Sequence, residues 1–322
     1  MKKKIIDFFL TNKTIKQTII KNTFWLFVSE GGSKIILLLL TIILARYLGV
    51  VGYGKLSFAM SFTVLFTVIA NFGLNILTVR ELARSKKNKN RFINNVMGLK
   101  VFFSIIAGIT IFISINLTNK SNDIKLLVYF LGLYIIVNNF GDFLRAIFRA
   151  FEKMQYEAFS KGLQSIMLLI TVITFVLLNK SIHWISIAYL FASLFGVIIT
   201  LWLVNKKFSS IKCKYNFKSW KLIMKEAWPF ALSSVFFIIY FGIDSVMLSF
   251  IRGDAEVGIY SVAYSLIAAL YFVPNILSMP FFPKMAKLIN KGRDKINFLL
   301  KNWYKNLLLV FIPLIIIVIL FS

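Results

Sequence analysis

The sequence predicts an all-α, polytopic membrane bundle of about nine transmembrane helices, and three observations predict it. Apolar and aromatic residues make up 59% of the 322 positions and charged residues only 16%, against roughly 45–50% and about 25% in soluble domains. The apolar residues come in continuous runs of helical length rather than the short alternating segments of a barrel. Lys and Arg gather in every second connection between those runs. A soluble globule, a disordered chain and a disulfide scaffold are excluded. Cys213 is the only cysteine, so neither an intrachain disulfide nor a cysteine metal cluster is available.

Runs long enough to cross a bilayer are placed at Thr23–Leu44, Leu56–Leu77, Val96–Leu117, Leu126–Leu144, Ala158–Leu178, Trp184–Val204, Ala227–Phe250, Ile259–Phe282 and Asn306–Ser322. Helices are required because hydrocarbon offers no partner to an open backbone. One set of connections holds 29 Lys and Arg and the opposite set holds 6, which sets the N-terminus in the cytoplasm. The net charge of +26 therefore reads as a topology signal facing anionic lipid, and no nucleic-acid partner is expected. Residues 1–22 are too polar and too short in their apolar run for a signal peptide. They are expected to form a basic amphipathic segment on the inner leaflet, the alternative being a frayed basic tail.

Compared with itself at an offset of 204, the chain matches Gly49 with Gly253, Gly54 with Gly258, Ser57 with Ser261, Ala59 with Ala263, Ser61 with Ser265 and Asn71 with Asn275. Span one then corresponds to span seven and span two to span eight. The expected organisation is a six-helix unit over 23–204, a basic linker over 205–226, and an incomplete second unit over 227–322 related by a pseudo-twofold axis. Parallel repeats about an axis along the membrane normal are a transporter design. Because the second unit holds three of its six expected spans, a truncated or partial product is expected.

Three stretches carry a family resemblance. They are Glu30-Gly-Gly-Ser-Lys34 followed by Leu44-Ala-Arg46-Tyr-Leu-Gly49 and Gly52-Tyr-Gly54; Gly141-Asp142-Phe followed by Arg149-Ala-Phe-Glu152-Lys-Met154; and Ile243-Asp244-Ser-Val-Met-Leu248 with Val257-Gly258-Ile-Tyr260-Ser-Val-Ala263. They resemble the oligosaccharide flippase family, the polysaccharide-exporter branch of the MATE-like superfamily. That resemblance covers essentially the whole chain, although such proteins have twelve or fourteen spans. It implies a non-enzymatic transporter that moves a polyprenyl-diphosphate-linked oligosaccharide across a bacterial cell membrane for O-antigen, capsule or exopolysaccharide assembly. The implied partners are that lipid-linked glycan, membrane lipids and a coupling cation or proton. A multidrug exporter of the same superfamily, a membrane glycan polymerase or ligase, and an inert fragment are the competing readings.

A charge inside the bilayer costs about 2.5–3.5 kcal/mol on insertion scales and so needs a reason. Glu30 and Lys34 lie four apart on one face of span one, in ion-pair order. They form either a polar wall for the substrate or a pair locking span one to a neighbour. Asp244, deep in span seven, is a candidate for a coupling ion, or for a partner of Lys34 or Arg46. Asp142, Arg145 and Arg149 share a face at the end of span four and suit phosphate, unless the arginines snorkel. Lys100 is one turn inside span three, where snorkelling is again the plainer expectation. Asn71 and Asn138 offer hydrogen bonds to sugar hydroxyls or to other helices. His183 is expected to be an ordinary loop residue, and Pro274 and Pro280 to kink span eight. Neither a metal-spaced cluster nor a Gly-Lys phosphate loop is present in the sequence, so no cofactor is expected.

Overall fold

Gly49 divides the longest helical stretch among the described residues. The computed structural model describes residues 14–85, 88–208, 210–270 and 278–288, with isolated positions between 297 and 309. The segment Gln17–Asn71 is helical over 55 residues, about 80 Å at 1.5 Å per residue, which no bilayer accommodates in one pass. Gly49 breaks it with φ 67° and ψ 178°, a conformation that costs glycine little and an L side chain much. The chain folds back there, so that the Tyr53 hydroxyl donates to Thr41 Oγ1 at 3.4 Å.

Spans one and two are thus one interrupted helix. Span one enters through Ile15–Leu26, capped by the Thr14 hydroxyl accepting from the Gln17 N–H at 3.2 Å. It loosens into a π turn over Phe27–Gly31 and continues as Gly32–Leu65 past Gly49. Of residues 1–22, expected to form a basic segment on the inner leaflet, 1–13 lie outside the described residues, and from Ile15 the chain is helical and runs on into span one. Lys21 is buried, its Nζ 3.5 Å from the carbonyl of Glu152. Span two breaks again at Phe72 and Gly73, with φ 44° and 70°, before Leu74–Arg84. A Cβ at Gly73 would stand 2.6 Å from Ala227 O and from Ala231 N, so the missing side chain lets span seven cross there.

The later spans run Lys89–Asn116, Asn122–Ala150, Met154–Leu177, Ile182–Lys207 and Phe217–Ile251. Span eight begins with Asp254–Leu270, and a short helix follows at Phe281–Leu288. The first seven expected spans are therefore present, each extending past its sequence-read boundary at one end or both, and of the eighth, 259–282, residues 271–277 lie outside the described residues. The expected ninth span, 306–322, lies outside the described residues, as does Pro274. Pro280 stands in the turn before the short helix.

The internal repeat has a structural counterpart. Gly253, the repeat mate of Gly49, also has positive φ, at 91°. A Cβ on Gly54 would collide with the carbonyl oxygen of Asp254, and a Cβ on Gly258 with that of Val50. Residues 50 and 254 are again 204 apart. The contact is reciprocal, residue i on j and mate j on mate i, as an isologous contact about a twofold axis must be. Beside it, Lys120 donates to Asp254 Oδ1 at 3.0 Å and to Ser249 Oγ at 2.6 Å, and Phe58 meets Phe250 edge to face. This end of the bundle is closed by backbone contact.

Among the described residues two large apolar layers fill most of the interior, with a small cluster of Leu26 and Met154 beside them. One, toward the Gly54–Gly258 crossing, includes Leu40, Phe58, Leu131, Leu168, Val172 and Ala192. The other, toward the basic connections, includes Leu77, Val96, Leu99, Phe148, Val204 and Trp220. At the basic end Glu152, in the left-handed region with φ 56°, holds Lys284 at 3.1 Å and Lys287 at 3.0 Å from the short helix.

Candidate functional site

Spans one, four and five bring their intramembrane charges together where the two apolar layers meet. The π turn in span one carries Glu30; such one-turn widenings are frequent at functional sites because they re-aim a side chain. Glu30 is paired with Lys161 of span five, and not with Lys34 as the sequence spacing suggests. One turn along, Ser33 and Ser165 join the same two helices through their hydroxyls at 2.9 Å.

Span four supplies the second part. Arg145 donates to Asp142 Oδ1 at 2.9 Å and to Gln164 Oε1 at 3.0 Å. The Gln164 amide donates to Asn138 Oδ1 at 3.0 Å, and Asn138 donates back to Asp142 Oδ2 at 3.5 Å. The four side chains close a ring of donors and acceptors between spans four and five. Two glycines leave room for it. A Cβ at Gly196 would lie 2.6 Å from Gln164 Oε1, and one at Gly141 would lie 3.1 Å from the Arg145 guanidinium. Arg145 is 2% exposed whereas Asp142 is 43% exposed, so the arginine is the anchored member and the carboxylate is the one that faces open space.

Nearer the basic end, Arg149 grips both carboxylate oxygens of Glu157 at 2.9 Å, and Glu157 is completely buried. Removing one partner of such a pair leaves a bare buried charge, at about 3–5 kcal/mol. Glu157→Ala is therefore expected to lower the thermal unfolding temperature of the detergent-solubilised protein sharply. The Arg149→Leu/Glu157→Leu double variant should recover most of that loss. A double variant no better than the single one would show that the pair contributes nothing beyond packing.

Lys100 does not snorkel. It is 1% exposed and donates to the side chain of Asn139, to the Asn139 carbonyl at 3.3 Å and to Asn71 Oδ1 at 3.4 Å. Asn71 also accepts from the Asn75 N–H at 3.2 Å, bridging the break in span two. Lys100 and Asn71 thus tie spans two, three and four together.

Among the described residues, each carboxylate of this cluster has its cation: Glu30 has Lys161, Asp142 has Arg145 and Glu157 has Arg149. Lys34, half-buried one turn from Glu30, makes neither an ion pair nor a hydrogen bond among them. The cluster of spans one, four and five therefore carries one cation more than its carboxylates balance, and the buried Lys100 of span three, held by Asn139 and Asn71, is a second cation with no carboxylate partner among the described residues. Asp244 lies apart from it, on span seven. The Tyr260 hydroxyl of span eight donates to Asp244, as does the Ser245 N–H at 2.7 Å. Asp244 pairs with neither Lys34 nor Arg46. Arg46 is exposed at the far end of span one, and His183 meets Asp123 at 3.0 Å beside Lys55.

Sequence reading missed Lys161, Glu157, Gln164 and Asn139. Starting span five at Ala158 put Lys161 at its edge, among the loop cations, and left Glu157 outside. Glu157 and Lys161 are nevertheless four apart at the head of an apolar helical run, which is the signal that would have placed them on one intramembrane face.

A paired helical bundle closed about a twofold axis, with a charged cluster buried inside it, is a multi-pass membrane protein of transporter architecture. The chain belongs to the family described as "Polysaccharide biosynthesis protein", whose model matches residues 19–289. It is 25% identical over 275 residues to a Shigella dysenteriae protein described as "Putative O-antigen transporter", covering 83% of this chain and 67% of that one. It is also 25% identical over 286 residues to the Staphylococcus aureus "Capsular polysaccharide biosynthesis protein CapF", covering 87% and 68%. Among solved structures, the MATE multidrug transporter DinF-BH superposes with a TM-score of 0.68 at 15% identity, covering 96% of this chain and 74% of that one. An outward-facing MATE family transporter of the MOP superfamily gives 0.64 at 14% identity, covering 98% and 74%. At these identities the structures establish the shared fold.

Proposed function

We propose that the chain is a flippase: it carries a polyprenyl-diphosphate-linked oligosaccharide from the inner to the outer leaflet of a bacterial cell membrane for surface polysaccharide assembly. Its basic ends face the cytoplasm, and residues 23–204 and 227–322 are the two units that rock about the Gly54–Gly258 crossing, joined by the 205–226 linker. The observation that carries this reading is the surplus cation. Within a family of polysaccharide biosynthesis proteins, a half-buried Lys34 without a carboxylate partner among the described residues leaves positive charge inside the bundle, where a diphosphate brings negative charge.

The chemistry follows from the cluster. The diphosphate is drawn to Lys34, while Glu30 keeps Lys161 neutralised and fixed. Asp142 and Asn138, at the open side of the ring, accept and donate to sugar hydroxyls, with Arg145 and Gln164 holding their geometry. Asp244, a carboxylate inside a span with no cation partner among the described residues, is the group assigned to the coupling proton or cation. Cationic-drug export is disfavoured by the same surplus of positive charge. The test is replacement of a cell's own flippase by this protein. Restored surface glycan is expected. A normal level of membrane protein with the lipid-linked glycan retained on the inner leaflet would refute the reading.

A further inference from the structure

At the basic end of the bundle, one buried carboxylate joins the two repeats. Glu152 lies in the turn between spans four and five, and its side chain is 5% exposed. It faces Lys284 at 3.1 Å and Lys287 at 3.0 Å, one turn apart on the short helix Phe281–Leu288 that follows span eight. Lys284 is itself only 12% exposed. The carbonyl of Glu152 accepts from the Lys21 ammonium at the start of span one, at 3.5 Å. Lys21 is fully buried, and Lys153 and Lys284 are within electrostatic reach of it. Among the described residues, one carboxylate thus stands amid four lysines from three parts of the chain.

The turn is formed around this residue. Glu152 has φ 56°, a conformation that a side-chain-bearing residue keeps only where its surroundings hold it. The Glu152 N–H donates to Arg149 O at 3.0 Å and the Lys153 N–H to Phe148 O at 2.9 Å, which closes the end of span four. The short helix lies along Leu74–Arg84 of span two and buries Phe281. Beside it Met279 packs on Leu26 and Met154, a cluster far smaller than either apolar layer. An element with few buried apolar contacts opens locally more readily than one set in a core. Repulsion among the four lysines opposes the contact as well, so Glu152 balances it rather than locks it. The far end is also shut, by the Gly54–Gly258 crossing and by Lys120 on Asp254. With both ends held, one must release before anything enters from a leaflet.

We propose that Glu152 is the latch of the basic end. The short helix moves away from it, taking Lys284 and Lys287, and opens the space between the repeats to the inner leaflet while the far end stays shut. That this opening admits a lipid-linked glycan rests on the flippase reading; the opening itself does not, and it is measured without glycan.

The experiment uses the full chain in inside-out vesicles, with Met154→Cys in a Cys213→Ser background and a membrane-impermeant maleimide. Met154 is fully buried beneath Met279. Glu152→Gln, which keeps the shape and removes the charge, is expected to raise labelling at position 154 several-fold. Labelling of Val246→Cys, in the layer toward the far end, is expected not to rise from outside in the same variant. Lys284→Gln/Lys287→Gln, which leaves Glu152 beside Lys21, should also raise labelling at 154. Glu152→Lys combined with Lys284→Glu and Lys287→Glu restores attraction with the signs reversed and should bring labelling back toward the starting level. Unchanged labelling in folded Glu152→Gln would overturn the latch. Should that variant not accumulate, unchanged labelling in the double lysine variant would do the same. Labelling in the sign-reversed variant no lower than in Glu152→Gln would show that Glu152 packs and does not pair, and a rise at 154 and 246 together would show general loosening; either overturns the proposal. Absence of glycan export by the unaltered protein would refute the flippase reading and leave the labelling result standing.

Discussion

Lys34→Ala lowers surface-glycan export by about ten- to hundredfold, and Lys34→Arg retains part of it. The magnitude follows from what is removed. A hydrogen bond between a cation and a phosphate is worth about 1.5–3 kcal/mol, and each 1.4 kcal/mol is about tenfold in an equilibrium constant. Lys34 is the cation of its cluster that no carboxylate neutralises among the described residues, so its loss strips charge available to substrate without unpairing a neighbour. That distinguishes it from Lys161, whose removal would leave Glu30 bare. The measurement is surface glycan per unit of membrane-inserted transporter, in cells lacking their own flippase. Normal accumulation of Lys34→Ala with wild-type export would remove Lys34 from the path. Failure of the alanine protein to accumulate would show that Lys34 holds the fold together.

Gly258→Leu, and separately Gly54→Leu, stop export while the protein still reaches the membrane. Both glycines press on backbone carbonyls of the opposite repeat, Val50 and Asp254. A carbonyl cannot rotate away as a side-chain tip can, so any Cβ forces spans two and eight apart. Overpacking of a tight contact costs about 1–3 kcal/mol, enough to move a balanced two-state equilibrium by about five- to 150-fold. In the proposed orientation this opens the outer end. A cysteine at Val246, buried in the neighbouring apolar layer, reports the change in a Cys213→Ser background. Its labelling by a membrane-impermeant maleimide from outside is expected to rise at least several-fold in Gly258→Leu. Unchanged labelling together with full export would show that the crossing does not gate anything.

The spans and the repeat were legible because their causes are local and periodic. Apolar runs record the thickness of the hydrocarbon, and Gly49, Gly54, Gly253 and Gly258 record a left-handed turn and a close helix crossing wherever they occur. The ninth span cannot be compared, since 306–322 lies outside the described residues. The cluster was legible in kind but not in pairing. Spacing along one helix makes Lys34 the natural partner of Glu30, yet span five brings Lys161 closer. Nothing in span three alone says that Lys100 will find Asn139 and Asn71 instead of the interface. The Arg149–Glu157 pair was hidden by a boundary, because starting span five at Ala158 left Glu157 in a loop. Helix ends and tertiary partners are decided by neighbouring helices, and a single sequence read one segment at a time does not contain them.

The central claim is that the cluster of spans one, four and five conducts a lipid-linked glycan, and reconstitution tests it most directly. The purified protein is placed in vesicles loaded with a polyprenyl-diphosphate-linked oligosaccharide, and the fraction of glycan reaching the opposite leaflet is read by its susceptibility to an impermeant glycosidase. The account predicts transfer by the wild-type protein, a roughly ten- to hundredfold slower rate with Lys34→Ala, and no uptake of a cationic rhodamine dye. Dye transport without glycan transfer, or glycan transfer indifferent to Lys34, would contradict it.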